Sequence, residues 1–241
     1  MINKSPYVIF VDDDPGIAGS MTFLLKTEGI SFYSYSSGEE FLSAVNERPE
    51  LLDGPGCILL DIRMNKLSGL DVFEKLRQIN CSMPIIFMTG HGDIQIVARV
   101  MQEGAYDFME KPVAGEELIS RVKKCLSVSM DLWEQNNHKE SVIKRIETLT
   151  GKEKVIMGLL FEGHANKEIA DKLGNSVRTI ELRRATIYDK LQISNAVELV
   201  RLLDSIGWKS TEPPNWHATE KLPKNALLKE ALPIKALLRS E

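Results

Sequence analysis

Hydrophobic positions in the first half of the chain fall into short continuous runs separated by amphipathic stretches. The runs begin at Tyr7, Cys57, Pro84 and Ala105, and Ser31–Ser36 form a further stretch in which polar and apolar residues alternate. Each stretch is about five residues long, a length typical of strands. Between them, apolar residues recur at three- and four-residue steps, which indicates helices. Strands that alternate with helices predict a five-stranded parallel sheet of the doubly wound α/β class.

One of the predicted helices covers residues 68–79. Its inward face is expected to carry Leu70, Phe73, Leu76 and Ile79, which follow each other at three-residue steps.

A long helix is predicted to leave this region, because residues 116–150 contain neither glycine nor proline. Within it, residues 134–141 are polar on every face, so this patch is either a solvated helix or a break. The apolar spacing would allow a coiled-coil seam, although the heptads are too few to establish one.

The second half shows a series of helix start and stop signals. Thr150 and Glu153 form a capping-box pattern, Asn166 is predicted to cap a second helix, and Ser176 a third. The turn Gly174–Asn175 between the last two is short. Two helices joined in this way predict a helix-turn-helix unit in an all-α domain.

These patterns divide the chain into four parts. We predict an α/β domain at residues 1–125, a helical linker at 126–147 and a helix-turn-helix domain at 148–207. The remaining residues, 208–241, contain several prolines and only short amphipathic pieces, which predicts a flexible extension.

Composition narrows the class of protein. The 241 residues are 43% hydrophobic and 27% charged, which is typical of globular chains. No window approaches the roughly 18 uninterrupted apolar residues of a membrane span, and the three cysteines show no metal-ligand spacing. We therefore expect a cytoplasmic protein with reduced thiols. The net charge of −4 means that any contact with nucleic acid must come from a local patch.

Polar residues that could take part in a reaction fall at the ends of the predicted strands: Asp12 and Asp13 after the first, Asp61 after the third, Thr89 after the fourth and Lys111 after the fifth. Carboxyl ends of parallel strands share one edge of the sheet, so these side chains can meet in one crevice. Taken singly, each is commonly a helix cap, a turn residue or a solvated charge. Their coincidence at matching positions favours a site.

Several carboxylates in one crevice need a cation, and an all-oxygen site suits Mg²⁺. Asp61 can then act as a nucleophile and form an acyl phosphate. The Lys111 ammonium would neutralise the phosphoryl oxygens, and the Thr89 hydroxyl could donate to one of them. We therefore expect Asp61 to be phosphorylated.

The third predicted helix of the second half has two distinct faces. Ile180, Ile187 and Leu191 lie within about 40° of each other at roughly 100° per residue, so they are expected to face the core. The row opposite them would enter a major groove, and it consists of Arg178, Glu181, Leu182 and Ala185. Flanking residues suited to phosphates are Thr179, Arg183, Arg184 and Lys190.

In this row Glu181 could accept from a cytosine amino group, while Leu182 and Ala185 could contact thymine methyls. An alternative is a helical protein-binding module whose arginines are merely solvated. Residues 150–207 carry nine lysines and arginines against eight acids. This small excess is weak for a lone DNA-binding module, so two copies on adjacent half-sites are expected.

The strand-end set, with the wording Thr-Gly-His-Gly-Asp at 89–93 and Asp-Phe-Met-Glu-Lys-Pro at 107–112, resembles the receiver domain of two-component response regulators, and the FixJ branch in particular. The resemblance implies that Asp13, Asp61 and the backbone carbonyl of Arg63 hold Mg²⁺, with Asp12 acting partly through water. It also implies a sensor histidine kinase as phosphoryl donor and a cis peptide bond before Pro112.

The same resemblance implies a switch in which Thr89 moves toward the phosphoryl oxygens and Phe108 turns inward. The alternative for Phe108 is an ordinary core ring. Asn65 departs from the family, which usually carries proline there, and this is expected to alter the stiffness of the following loop.

Residues 148–204 resemble the LuxR-type helix-turn-helix through Leu-Thr-x-x-Glu at 149–153, Asn-Lys-Glu-Ile-Ala at 166–170 and Val-Arg-Thr-Ile-Glu at 177–181. Arg183 stands where histidine is common. Together the two resemblances imply a phosphorylation-dependent transcriptional regulator that binds double-stranded DNA as a homodimer. No enzymatic activity is expected beyond self-catalysed phosphotransfer and dephosphorylation.

Two other functions remain open at this point. One is a constitutive DNA-binding protein whose receiver serves only for protein contacts. The other is an aspartyl-phosphate hydrolase of the haloacid-dehalogenase type. That class wants a second acid two residues after the nucleophile, where this chain has Arg63.

Overall fold

A computed structural model describes residues 4–90 and 94–209, with the side chains of residues 94 and 95 left out. The predicted extension beyond residue 209 and His91, Gly92 and Asp93 of the receiver-like wording lie outside the described residues. The described chain forms two compact units that divide after Glu134.

The first unit alternates strands and helices. Its elements are β1 (Tyr7–Val11), α1 (Pro15–Thr27), β2 (Ser31–Tyr35), α2 (Gly38–Glu47), a short 3₁₀ helix (Pro49–Leu52), β3 (Gly56–Asp61), α3 (Gly69–Gln78), β4 (Ile85–Thr89), α4 (Ile94–Gln102), β5 (Asp107–Glu110) and α5 (Gly115–Glu147). Several ends differ from the predicted ones by one or two residues, and Thr89 is the last residue of β4.

The five strands form one parallel sheet in the order β2-β1-β3-β4-β5, so the predicted fold class is confirmed. Every residue of β1 and β3 is buried, because helices cover both faces of the sheet. Ile9 and Ile58 belong to the hydrophobic cluster on one face, and Val8 and Cys57 to the cluster on the other. This is why the central strands read as continuous apolar runs.

The predicted inward face of α3 is wrong at one position. Ile79 follows the last residue of the helix and is 57% exposed. Leu70 and Ile79 are nine residues apart, and at about 100° per residue this places them on opposite sides of a helix. The buried positions are instead Val72, Phe73 and Leu76.

Helix α5 runs without interruption from Gly115 to Glu147. The polar patch at residues 134–141 is therefore a mostly exposed part of a helix and contains no break. Val122 and Cys125, near its start, pack in a sheet cluster. Val142 and Ile146, which lie in the predicted linker, pack in the core of the second unit.

The second unit is all helical beyond the end of α5. It contains α6 (Gly151–Phe161), α7 (Asn166–Leu173), α8 (Val177–Leu191) and α9 (Ala196–Asp204). The apolar face of α8 is as predicted, since Ile180, Ile187 and Leu191 are fully buried. No separate pattern in the sequence analysis indicated α9, although Leu199 and Leu203 on it are also fully buried.

The caps of these helices mostly follow the sequence. Thr150 and Glu153 form the predicted capping box, and the Ser176 hydroxyl accepts from the Thr179 amide. The predicted cap at Asn166 is wrong, because Ala165 precedes the helix as its cap residue. Glu168 supplies the other half of a capping box, since its carboxylate accepts from the Ala165 amide at 2.8 Å.

No helix among the described residues is long and apolar enough to cross a membrane.

Candidate functional site

The carboxyl ends of β1, β3, β4 and β5 bring the predicted polar residues together. Val11 is aligned with Leu60, so the residues that follow them, Asp12 and Asp61, lie side by side. The next strand places Thr89 on the same edge, beside Glu110 of β5. Lys111 follows Glu110, and its amide donates to the Thr89 carbonyl at 2.7 Å.

Lys111 holds the two most buried carboxylates of this edge. Its Nζ lies 2.7 Å from Asp12 Oδ2 and 2.7 Å from Asp61 Oδ1. Asp12 is 2% exposed and Asp61 is 5% exposed. Buried charges need such partners, because an isolated ion loses its hydration at large cost. The Lys111–Pro112 peptide bond is cis, as the resemblance implies.

The protonation equilibria of this cluster reflect its burial. Desolvation raises the pKa of Asp61, and the hydrogen bond and charge of Lys111 oppose that rise. For Lys111, burial acts to lower the pKa, but hydrogen bonds to Asp12 and Asp61 outweigh it and raise the pKa above the usual lysine value. The ammonium is therefore held in its charged form beside the carboxylate that it supports.

Asp12, Asp13 and Asp61 form a cluster that could hold a metal ion. Each offers one carboxylate oxygen, and these oxygens lie within 4.8 Å of one another. A hard divalent cation such as Mg²⁺ prefers oxygen ligands of this kind. The donor set therefore fits the predicted ion. Arg63, whose backbone carbonyl the resemblance implies as a further ligand, is exposed in the loop between β3 and α3.

The carboxylates differ in what else they accept. Asp12 Oδ1 accepts from the backbone amide of Asp14 at 2.9 Å, so both of its oxygens are engaged. Asp13 Oδ2 accepts from the backbone and the side-chain amides of Asn65, at 3.0 and 2.5 Å. The sequence analysis missed this last contact. The departure from proline at residue 65 was the signal for it, since asparagine brings two kinds of donor where proline has none.

Gly69 is a second residue that the sequence analysis missed. A Cβ atom built on it would lie 2.1 Å from the backbone oxygen of Asp61. The amide of Gly69 donates to the carbonyl of Ile62 at 3.0 Å. The first turn of α3 therefore packs directly against the end of β3, which any side chain at residue 69 would prevent.

The two predicted switch residues occupy different environments. Thr89 is 3% exposed, and its hydroxyl donates to the Met109 carbonyl at 3.4 Å. Phe108 is 38% exposed, so the alternative that it is a core ring is wrong. The Asp107 carboxylate accepts from the Phe108 amide at 2.8 Å, and Arg121 donates to the Phe108 carbonyl at 3.1 Å. Arg121, which sequence analysis missed, thus holds the backbone of Phe108 and leaves its ring outside.

The proposed groove-facing row of α8 is exposed in the second unit. Arg178, Glu181, Leu182 and Ala185 all lie on the solvent side, and Leu182 is 62% exposed. A large apolar side chain in that position adds nothing to the core. Such a row at the start of the second helix of a helix-turn-helix has the form of a recognition surface.

The flanking residues are less uniform. Arg184 stacks over the Tyr188 ring with its guanidinium carbon 5.2 Å from the centroid, and Arg183 is half-buried. The Thr179 hydroxyl lies 2.8 Å from that of Ser176, at the start of the helix.

Lys190 has a partner within its own unit. Its Nζ lies 2.8 Å from Glu153 Oε2, and the side chain of Glu153 is only 10% exposed. Sequence analysis assigned Lys190 to DNA phosphates and missed this ion pair, because its partner lies 37 residues away. The structure therefore gives Lys190 a contact that stabilises the module.

Two protein-family models match the chain. The response regulator receiver domain matches residues 8–123, and the model of bacterial regulatory proteins of the luxR family matches residues 147–203.

Relatives match over both units. The transcriptional regulatory protein FixJ of Azorhizobium caulinodans is 37% identical over 192 residues, which cover 80% of this chain and 89% of FixJ. The response regulator protein TodT of Pseudomonas putida is 30% identical over 206 residues, covering 86% of this chain and 88% of TodT.

Solved structures are similar over the same range. The response regulator StyR aligns with a TM-score of 0.75 and 31% identity, covering 83% of this chain and 99% of StyR. Full-length FixJ from B. japonicum aligns with a TM-score of 0.50 and 30% identity, covering 83% and 96%. With its receiver-like crevice and its LuxR-type recognition helix, this chain belongs to the two-component response regulators of the FixJ-like group.

Proposed function

We propose that this response regulator accepts a phosphoryl group on Asp61 from a sensor histidine kinase, and that phosphorylation controls its binding to DNA. The observation that carries the proposal is the position of Lys111 Nζ, 2.7 Å from Asp61 Oδ1. An ammonium at that distance is placed to neutralise negative charge on a phosphoryl group as it reaches the carboxylate.

The chemical step begins at the Asp61 carboxylate. An oxygen of the ionised Asp61 attacks phosphorus of the kinase phosphohistidine, the P–N bond breaks, and its electron pair returns to the imidazole, which takes up a proton. The product is an acyl phosphate on Asp61. A Mg²⁺ ion held by Asp13, Asp61 and the carbonyl of Arg63, with Asp12 nearby, would stabilise charge on the phosphoryl oxygens.

The burial of Asp61 and Thr89 in the crevice suits an acyl phosphate that must persist. Asp61 is 5% exposed and Thr89 is 3% exposed, which limits the access of water to an acyl phosphate. We therefore propose slow, self-catalysed dephosphorylation and no turnover of external phosphoesters. Arg63 supports this, because it places a cation where a hydrolase of this chemistry would need a second acid.

We propose that phosphorylation of Asp61 changes the conformations of Thr89 and Phe108. Thr89 would exchange its hydrogen bond to the Met109 carbonyl for a phosphoryl oxygen, and the exposed Phe108 ring would turn inward. This changes the surface of α4 and β5, on which two receivers would then pair. Phosphorylation acts only if it favours one arrangement over the other.

Pairing of two chains would compensate for the small positive charge of a single DNA-binding unit. A dimer doubles the number of phosphates neutralised and presents two α8 helices to adjacent half-sites. We therefore propose that the homodimer binds a two-part operator on double-stranded DNA.

The experiment compares DNA affinity of the full chain with and without a phosphodonor, using Asp61→Asn as the control. We expect tighter binding only for the phosphorylated wild-type chain. Equal affinity for all samples would refute the switch. Sedimentation with and without beryllofluoride, an acyl-phosphate mimic, tests the dimer separately, and an unchanged monomer would refute pairing.

A further inference from the structure

The β3–α3 loop makes a contact that the phosphoryl-transfer proposal leaves unused. The side-chain amide of Asn65 donates to Asp13 Oδ2 at 2.5 Å, and its backbone amide donates to the same oxygen at 3.0 Å. Residues 65 and 13 belong to different loops, one after β3 and one after β1. The contact therefore ties together the two loops that follow the central strands of the sheet.

Asp13 differs from the other two acids in what holds it in place. Asp12 and Asp61 share the Lys111 ammonium, whereas the hydrogen bonds found for Asp13 come from Asn65. Three carboxylates whose oxygens lie within 4.8 Å of one another repel. Asp13 is half-buried and its neighbour Asp12 is buried, so rotation toward water would be the easiest relief. The Asn65 donors oppose that rotation.

The two donors also select one oxygen of the carboxylate. A carboxylate oxygen has about two lone pairs, and both on Oδ2 are taken by Asn65. Among the described residues no hydrogen bond is found to Oδ1, so this is the oxygen that would face a cation. The carboxylate is thus held in one orientation, with one oxygen committed to the loop and one available.

The loop itself is held in an unusual conformation beside this contact. Lys66, the next residue, has a φ of 66°, a region that residues with a side chain rarely adopt. Such a conformation persists where surrounding contacts over-determine it. Asn65 is the residue through which the adjoining backbone is fastened to Asp13.

From these observations we infer that Asn65 is a positioning residue for the metal site: its side-chain amide holds the Asp13 carboxylate beside Asp12 and Asp61, against their mutual repulsion, so that a divalent cation meets a preformed set of oxygens. The inference rests on the proposed function, since it concerns the same ion. The inference gives a role to Asn65, which the phosphoryl-transfer proposal does not use. Receiver domains usually carry a proline at this position, and proline offers no donor, so the family resemblance does not imply this role.

The consequence is a specific loss of metal affinity when the amide is removed. Asn65→Ala and Asn65→Leu both keep the backbone donor and lose the side-chain donors, and leucine also keeps the branched shape of asparagine at Cγ. Because one hydrogen bond of ordinary strength, made by an exposed side chain, is lost in each, we expect the dissociation constant for a divalent cation to rise about three- to tenfold in both.

The experiment titrates the full-length chain with Mn²⁺, following the electron paramagnetic resonance signal of the free ion, with Mg²⁺ as competitor. Asn137→Ala, a charge-neutral change at an exposed site on α5, is the matched control and should bind as the wild type does. Thermal unfolding in EDTA should remain cooperative in the Asn65 variants, with at most the small loss of stability expected for one surface hydrogen bond, because the residue is exposed and outside the hydrophobic clusters.

The outcomes separate the two proposals. Saturable binding by the wild type that weakens equally in Asn65→Ala and Asn65→Leu supports the inference. Wild-type affinity in Asn65→Leu, or weaker binding accompanied by loss of cooperative unfolding in EDTA, would overturn it while leaving the metal site intact. Absence of saturable binding by the wild type would overturn the metal site of the proposed function and this inference with it.

Discussion

The receiver crevice and the recognition helix treat polar side chains in opposite ways. In the crevice, Asp12 and Asp61 are buried and depend on Lys111, which lies 99 and 50 residues from them in the chain. On α8 the row proposed to face a DNA groove lies on the solvent side, with Leu182 at 62% exposure. The acidic crevice lies at the buried edge of the sheet. The α8 row lies on the solvent face of a helix whose opposite face packs in the core.

The difference teaches where function and stability are coupled. A buried carboxylate without its cation costs free energy, so removal of the Lys111 ammonium should affect the receiver fold. An exposed side chain on a helix contributes little to stability, so the recognition row is free to vary. The proposed phosphoryl transfer and the proposed reading of DNA bases should therefore respond differently to substitution.

Removal of the Lys111 ammonium should have the largest effect on stability. We expect Lys111→Met to destabilise the receiver by about 2–3 kcal/mol, since it leaves two buried carboxylates unpaired, although lysine itself is 21% exposed. Hydrogen exchange of the β1 and β3 amides measures the loss.

A second substitution gives the control for Lys111→Met. Burial raises the pKa of Asp61, so its ionised form is the one that the fold disfavours. Asp61→Asn added to Lys111→Met should therefore restore part of the lost protection. A double variant no better protected than the single one would show that charge burial is not what couples the crevice to the fold.

The ion pair of Glu153 with Lys190 should make stability of the DNA-binding unit depend on pH. Burial acts to raise the pKa of Glu153, but hydrogen bonds from Lys190 and Thr150 outweigh it and hold the pKa below the usual value. The contribution, about 1 kcal/mol, is thus complete above the pKa of an unfolded glutamate, roughly 4.3. It is lost as the pH falls through the lower folded value.

The matched substitution is Glu153→Gln, which removes the charge and keeps a side-chain acceptor for the Thr150 amide. Thermal unfolding between pH 7 and pH 3 should show a smaller decline for this variant than for the wild type. An identical decline in both would mean that the pair contributes nothing to the folded state.

Substitution of the recognition row should have the smallest effect on stability. Leu182→Ala and Glu181→Ala are each expected to change the free energy of unfolding by less than about 0.5 kcal/mol. Glu181→Ala should still relax the preference at one base pair by about 1–3 kcal/mol. Competition binding with operators altered at single positions measures this, and a uniform loss on every sequence would assign Glu181 a role in backbone contacts instead.

Much of the fold followed from patterns that the sequence states locally. The runs of β1 and β3 are apolar at every position because both faces of the sheet are covered. The caps at Thr150 and Ser176 were found because a cap and its donor lie about three residues apart. Ile79 was misplaced where steps of three residues were followed for longer than a period of about 3.6 allows.

The sequence predicted which residues form the candidate site, but it did not predict several of the contacts that hold them in place. Strand ends identified the acids, Thr89 and Lys111, because parallel strands bring their carboxyl ends to one edge. Asn65, Gly69 and Arg121 were missed, since each acts on a residue of another element and no spacing in the chain records the contact.

The sequence by itself determined which residues alternate between core and solvent, where helices begin, and which polar side chains arrive at the same edge of the sheet, because these depend on local geometry and periodicity. Only the tertiary structure decided that Lys111 serves Asp12 and Asp61, that Asn65 fastens Asp13, and that Lys190 turns to Glu153. Electrostatic and hydrogen-bond energies depend on distances of a few ångströms, and between residues remote in the chain those distances are set only by packing.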